Sequence, residues 1–547
     1  MDTDRPHATE NAGMTIPVRP LFTYLEESAR SFADHPCTDF LGRCMSYREI
    51  AALTAHAAAG FQNLGVIKGT RVALCLPNTP YTIIAYFSVL KAGGVVVNLN
   101  PLYTERELAE QIKDSGAEIL LTLDLAQLAA KADGLLAATG LRRVILCPMR
   151  DALPLLKSLL YRVFKSDETA PIPHDATHMS FAELLECGKE FHPPDIDPHR
   201  DIAVLQYTGG TTGTPKAAIL THANLSANVE QAHAIFPGMR LGEERILAVL
   251  PFFHVFAMTV VMNLGIKTGA ELILLPRFTL NEVLRTIDDK RPTLFPGVPT
   301  IFTAINNAPH LNQMNLSSLR YGISGGAPLP VEVKKRFESL SGCTLVEGYG
   351  LTEASPVALS NPVEGLNKPG SIGLPLPGTT IDIRDLETGA PLAVGEKGEL
   401  CIKGPQVMMG YLNRPEETAA TLIDGWLRTG DVGYRDADGY VFLVDRIKEL
   451  IICSGFKVYP RVIEDAIHRH PAVEEVAVIG IPDEYRGQTP KAFIKLRQGM
   501  SLTQNEVIDF LKPHLSPIEM PKAVEFRDFL PKTLIGKLSK KELAREA

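Results

Sequence analysis

A chain of 547 residues exceeds what one ordinary core organises and is long enough for several subdomains. Its 45% apolar content, mixed charges and formal net charge of -8 are those of a globular protein and exclude a basic, nucleic-acid-type footprint. Eight cysteines with no CxxC pair and no zinc-type Cys/His spacing exclude a metal-finger framework and read as reduced thiols.

In chain order, residues 1–16 are acidic and polar, with neither a basic n-region nor an apolar h-region, so a disordered tail is expected rather than a secretory signal. The section from RVALCLPN through VLKAGGVVVNLNP to AEILLTL alternates apolar runs with helical patterns and suggests one αβα layer. DALPLLKSLLYRVFK, Asp151 to Lys165, is amphipathic with a basic end, and Leu153, Leu156, Leu160 and Val163 fall on one helical face. It reads as a surface helix packed on the body, with membrane contact as the alternative. Ala203–Gln206 reads as a short buried strand and Ala217–Leu220 as another; THANLSANVEQAHAIF then opens a helix with a Thr cap.

Further on, ELILL, TLFPGV, LRYGISGG and TLVEGYG read as strands, with helices LNEVLRTIDDK, the segment after Pro299, and LPVEVKKRFESL between them. Repeated βα units predict a second parallel sheet covered by helices. After about Ser371 the Gly and Pro content rises and TIDIRD, GELCIKG and GYVFLVD predict a small β-rich subdomain. A compact α+β unit follows, built from LIICSG, YPRVIEDAIHRHPAV, EEVAVIGIP, KAFIKL and NEVIDFLKPHL. The expected domains are therefore 17–447 and 448–547, with the boundary near Asp445–Lys448.

Between the strands ending at Gln206 and opening at Ala217 lies YTGGTTGTPK, Tyr207 to Lys216. Its glycines let the backbone approach an anion, its Thr hydroxyls add donors and Lys216 adds charge, which together suit phosphate. It lacks the GK[ST] ending of a P-loop and joins strand to strand, where a P-loop joins strand to helix. GYGLTE, Gly348 to Glu353, also follows a strand; Tyr349 offers a flat face and Glu353 a hard oxygen suited to Mg²⁺. GISGGAPLP, Gly322 to Pro330, reads alone as an ordinary strand-to-helix turn, and RTGD, Arg428 to Asp431, as a tight turn carrying a carboxylate.

Together these segments change the reading. YTGGTTGTPK, PFFHVFAM, GISGGAPLP, GYGLTE, GELCIKGPQVMMGYLNRPEET, GWLRTGD, DRIKELIICSGFKVYPRVIE and PKTLIGKLSK occur in the order seen in the adenylate-forming superfamily of acyl-CoA synthetases, adenylation domains and luciferases. The sequence resembles that superfamily from about Leu21 onward, and most resembles its bacterial medium- and long-chain fatty acid–CoA ligases. One departure is Ala217 after the loop lysine, where many relatives carry Gly. A methyl group there suits a strand.

The resemblance implies an α/β fold: a large N-terminal domain of two stacked αβα-type subdomains and a β-rich subdomain, with a mobile C-terminal domain. It implies ATP, Mg²⁺ and coenzyme A as cofactor and cosubstrates, with a fatty acid as acyl substrate. By resemblance, Thr208, Gly209, Gly210, Thr211, Thr212, Gly213 and Lys216 wrap the ATP phosphates. Gly325, Gly326, Ala327, Gly348, Tyr349 and Gly350 surround the adenine, and Thr352 contacts the α-phosphate. Glu353 with Thr208 binds Mg²⁺, Asp431 grips the ribose, and Arg446 helps hold the nucleotide. Lys537 stabilises the adenylation transition state, and His254 positions the carboxylate. Lys448 matches the hinge, and Ser454, Gly455 and Phe456 line the pantetheine tunnel. The apolar helix after His254, together with Gly297–Phe302, is expected to wall a hydrocarbon tunnel, with Gly265 and Ala304 leaving room. Aryl or dicarboxylic acids, or a carrier protein in place of free CoA, stay open as alternatives. The expected setting is cytoplasmic with peripheral membrane contact as an option, without nucleic acid; the oligomeric state is left open, a homodimer among the choices.

Overall fold

The structure, a computed structural model, describes residues 16–546 apart from 174, 189, 209–214, 310, 455 and 533–537, with the side chains of Ser166 and Asn312 left aside. Of the expected N-terminal tail, all but Ile16 lies outside the described residues. The chain packs as two compact units, Met1–Thr380 with Lys403–Leu427, and Ile381–Ile402 with Arg428–Ala547.

The first unit contains two large sheets. One has eight strands, six of them parallel in the spatial order Ile202–Thr208, Val95–Asn98, Arg71–Cys75, Ile119–Leu123, Arg143–Cys147 and His178–Ser180. Alternation along these strands divides two cores: Val72 and Leu74 face the larger one, Ala73 and Cys75 the smaller. The smaller core is closed by Leu108 and Ile112 of one helix and Ala129, Ala132 and Leu135 of another. Both faces of the sheet are thus covered, as a parallel sheet requires.

The other sheet has nine strands, with Glu271–Leu274, Arg245–Ala248, Leu294–Gly297, Tyr321–Ser324 and Thr344–Gly350 adjacent and parallel. The larger core draws on both sheets. Helix Pro80–Lys91, apolar on every side, is buried from Pro80 to Leu90, the only place an all-round apolar helix is stable in water.

The sheets are mixed rather than wholly parallel. Strand Lys216–Thr221 runs antiparallel to Ile202–Thr208, because the few residues between them can form a hairpin but not a parallel crossover. The expected Thr cap is present: Thr221 accepts from the Asn224 amide, and Asn224 reciprocates in a capping box that opens helix His222–Ala234.

Strands Thr380–Arg384, Gly398–Lys403, Trp426–Arg435 and Val441–Arg446, most of whose residues fall in the second unit, form the expected β-rich portion. A further sheet of Phe456–Val458, Ile451–Cys453, Gly487–Leu496, Val473–Asp483 and Ala523–Phe526 carries helices Pro460–His468 and Gln504–Leu511, with a core around Ile463, Val478, Ile494 and Leu511. RTGD corrects one expectation. It lies within the ten-residue strand Trp426–Arg435 and is not a free turn, although Gly430 at φ +73° kinks the strand there. Segment Leu155–Phe164 is the expected surface helix: none of its residues is buried and Tyr161 packs against the main core, while Leu153 lies before the helix and is itself buried.

Candidate active site

Parallel strands put the ends of distant sequence segments on one edge. Gly297, Ser324 and Glu347 stand in register across three neighbouring strands. PFFHVFAM, the Gly297–Val298 step, Gly325–Ala327 and Gly348–Glu353 therefore all leave the carboxyl ends of adjacent strands, the edge where open α/β sheets place ligands. The approach is close: a Cβ added at Gly325 would lie 3.0 Å from the Phe256 ring and 3.5 Å from the Gly348 carbonyl. At Gly350 it would lie 2.0 Å from the Pro356 carbonyl oxygen, so packing alone demands glycine there. Tyr349 is only 9% exposed, so little of its ring is open.

Polar side chains absent from the sequence-based site hold the His254 segment. The Asn78 amide donates to the Ala248 and Leu250 carbonyls and accepts from the Phe252 amide at 2.8 Å. Gln206 donates to the Phe253 carbonyl at 2.9 Å and is itself held by Asn98. Within this frame His254 Nδ1 accepts from the Phe256 amide at 3.3 Å, capping the helix that follows. That helix passes through a π-type stretch, Met258–Asn263. The room expected at Gly265 is taken, since a Cβ there would meet Leu272 Cδ2 at 2.5 Å.

The phosphate-type loop springs from a hairpin. Thr208 and Lys216 are the last cross-strand pair before it, so both flank its base; Gly209, Gly210, Thr211, Thr212 and Gly213 lie outside the described residues. Lys216 Nζ sits 5.1 Å over the Tyr411 ring and 4.0 Å from Glu417. Tyr411 belongs to a short strand paired with Lys216–Thr221, and its hydroxyl donates to Glu353 Oε1 at 2.6 Å. The Met408 amide donates to the Glu353 carbonyl at 2.8 Å. Burial first, and then the Glu353 carboxylate, push the Tyr411 phenol well above its ordinary value, so it stays a donor at neutral pH.

Strands Ile202–Thr208 and Lys216–Thr221 both pack against the Thr352–Ala354 turn. The elements that carry Glu353 and Thr208 are thereby neighbours, and a carboxylate and a hydroxyl are both hard oxygen donors. This donor set fits Mg²⁺, which takes few protein ligands when phosphates and water complete its shell. Beside Thr208 on the same strand, the half-buried Tyr207 donates its hydroxyl to Asp114 of helix Glu105–Ser115 at 2.9 Å, and Asp114 pairs with Arg414 at 3.2 Å.

In the second unit Asp431 and Arg446 are cross-strand neighbours and form an ion pair of 2.9 Å; Asp431 is buried and Arg446 half exposed. The adjacent Asp445 accepts from the Arg446 and Arg461 amides, yet burial dominates and raises its pKa to about 6. Lys540 bridges Glu449 at 2.9 Å and Glu464 at 2.8 Å. Lys448 lies in the turn Ile447–Glu449, Ser454 takes a left-handed φ of +51°, and Phe456 is largely exposed. Gly455 and Lys537 lie outside the described residues.

Sequence reasoning thus missed Tyr411, Asn78, Gln206 and the Asp114–Arg414 pair. Tyr411 stood inside the quoted GPQVMMGYLNRPEET segment without a role, and a polar Asn78 amid apolar LPNTP was the one local sign of the clamp.

Comparison with known proteins adds the following. The model of the AMP-binding enzyme family matches residues 25–412, and that of the AMP-binding enzyme C-terminal domain matches 462–537. A long-chain-fatty-acid–CoA ligase of Bacillus subtilis is 45% identical, covering 99% of this chain and 96% of its own. A 4-coumarate-CoA ligase of Narcissus pseudonarcissus is 33% identical over 96% and 93%. The crystal structure of ATP-bound MatB from Rhodopseudomonas palustris superposes with a TM-score of 0.85 at 29% identity, covering 97% of this chain and 99% of that one.

Proposed function

The chain belongs to the AMP-binding enzyme family, and from that premise we propose that it is an ATP-dependent long-chain fatty acid–CoA ligase. The observation that carries this reading is the 45% identity, over nearly the whole of both chains, to a protein named for that activity. The 33% relative named for 4-coumarate keeps aryl acids in the test.

The chemistry proceeds in two steps. A carboxylate oxygen attacks the α-phosphorus of ATP; the bond to the bridging oxygen breaks and diphosphate leaves, giving an acyl-adenylate. The CoA thiolate then attacks the acyl carbon and AMP leaves with the electron pair of the C–O bond. No protein nucleophile is needed, so the side chains act by positioning and by charge. Thr208, the loop 209–213 and Lys216 cradle the phosphates, and the Tyr411 hydroxyl fixes the orientation of Glu353. Glu353 and Thr208 would hold Mg²⁺, which when bound would supply positive charge to offset that of the phosphates. Gly325, Gly326, Ala327, Gly348, Tyr349 and Gly350 shape the adenine pocket, with Thr352 at the α-phosphate. Asp431 takes the ribose hydroxyls, and Arg446, its ion-pair partner, stays beside the nucleotide. His254 orients the carboxylate. Lys537 bridges the developing charges in the first step; Lys448 is the hinge that then presents Ser454, Gly455 and Phe456 to pantetheine.

The test is a panel of short- to long-chain fatty acids, aryl acids and dicarboxylates assayed for diphosphate–ATP exchange and for AMP release, with CoA or a holo-carrier protein as acceptor. Long-chain acids should drive exchange without thiol and AMP release with CoA. Lys537→Ala should lower exchange by about 100-fold or more while sparing thioester formation from supplied acyl-adenylate. Absence of exchange with every acid refutes the proposal, and preference for the carrier protein replaces CoA as acceptor.

A further inference from the structure

Helix Leu155–Phe164 is mounted the wrong way round for a water-soluble surface. At ~100° per residue, Leu155, Leu156, Leu159, Leu160, Val163 and Phe164 fall within one half of its circumference. All six are exposed, from 48% at Leu160 to 86% at Leu155. The face turned to the body is the other one: Tyr161 packs on the main core, Ser158 is half-buried, and Lys157 Nζ donates to the Leu41 carbonyl at 2.7 Å. Buried Ala152 and Leu153 anchor the chain just before the helix. An amphipathic helix normally gains stability by burying its apolar stripe. Here the tertiary fold holds the polar stripe and presents the apolar one outward, a contiguous patch of the kind that marks an interaction surface.

We propose that this helix seats the enzyme on an anionic lipid surface, lying in the plane of the headgroups. Charge favours this occupant over a second copy of the chain. The molecule is net acidic at -8, whereas 155–165 carries Lys157, Arg162 and Lys165 and no acidic residue. Arg162 sits at one margin of the apolar half, where a basic side chain reaches headgroups while the apolar face enters the acyl boundary; Lys157, at the other margin, is held by the Leu41 carbonyl. Lys165, just past the helix, pairs with Glu168. Ten residues span roughly 15 Å, too short to cross a bilayer, and no described helix is long and apolar enough to do so. An interfacial helix needs neither length.

The experiment is flotation of the full chain with phosphatidylcholine vesicles, with and without phosphatidylglycerol. The variants are Leu156→Ser/Leu160→Ser/Phe164→Ser and Arg162→Glu/Lys165→Glu. These side chains are exposed and outside the proposed catalytic machinery, so activity on a short, water-soluble acid should be unchanged and reports folding. The parent should float with the mixed vesicles. The apolar variant should lose partitioning by about 10-fold or more, because three apolar side chains no longer enter the acyl boundary. The charge variant should lose the preference for phosphatidylglycerol. Parent protein that stays in the aqueous fraction overturns the proposal, as does an apolar variant that floats equally well. Concentration-dependent dimerisation that the apolar variant abolishes and vesicles do not compete away would overturn it in favour of a second copy. The vesicle assay needs no acyl substrate, so its failure is separable from failure of the ligase reading.

Discussion

Tyr411 is where three sequence motifs meet. Its ring lies under Lys216 of the phosphate-type loop, its hydroxyl holds Glu353 of GYGLTE, and its strand belongs to a third segment. A hydrogen bond to a charged group is worth about 1.5–3 kcal/mol, and this one leaves a carboxylate oxygen in a fixed place. Tyr411→Phe should lower kcat/KM for ATP by about 10-fold and raise the Mg²⁺ concentration needed for half-maximal rate. Steady-state kinetics across a Mg²⁺ titration decide it; a parent-like profile would show that Glu353 needs no such support. Asp431 teaches a related lesson. An Asp in a Gly-containing tetrapeptide reads as a turn, but the strand partner that converts it into a buried ion pair, Arg446, is supplied by pairing.

Among the elements, helix His222–Ala234 shows how a local signal and a distant contact combine. Its start was legible because Thr221 and Asn224 have capping-box spacing. What its first residue does was not: His222 Nδ1 accepts from the Leu21 amide at 3.1 Å, two hundred residues away along the chain. Burial lowers the His222 pKa to about 4 from 6.5, with Asp201 opposing weakly. The unfolded chain thus takes up a proton at a pH where the folded chain refuses it. The stabilisation is complete above pH 6.5 and is lost as the pH falls toward 4. Its size is on the order of 3 kcal/mol. In His222→Asn, which keeps an acceptor but cannot titrate, the urea midpoint should fall less steeply on acidification than in the parent. Parallel curves for the two proteins would remove His222 from the acid response.

On the scale of the molecule, compactness and hinging divide the chain differently. Packing groups Ile381–Ile402 with Arg428–Ala547, because strands Gly398–Lys403 and Trp426–Arg435 belong to one sheet. The proposed hinge, Lys448, falls inside that second unit, in a single turn between two strands. A short turn between two strands is where a change of backbone direction is most readily absorbed. Proline at this position would fix φ, so Lys448→Pro should slow thioester formation by about 10-fold or more while leaving diphosphate–ATP exchange within about 2-fold. Rapid-quench measurement of the two half-reactions tests it, and equal effects on both steps would take the hinge role away from Lys448.

Much of this protein was already determined by local pattern. Apolar alternation and turn residues marked most strands and helices, and the brevity of the Gly/Thr segment made it a strand-to-strand link. The order of the motifs pointed to an α/β nucleotide-activating fold. Tertiary structure decided what those motifs touch. Tyr411 and Glu353 are 58 positions apart, and nothing in either segment encodes the other, because a hydrogen bond across folded layers leaves no periodicity to read. The same holds for helix Leu155–Phe164. Its sequence specifies an apolar half and a polar half, but which half faces water depends on the surface it docks against, and here the Tyr161 contact and the anchor at Ala152 and Leu153 turn the apolar half outward.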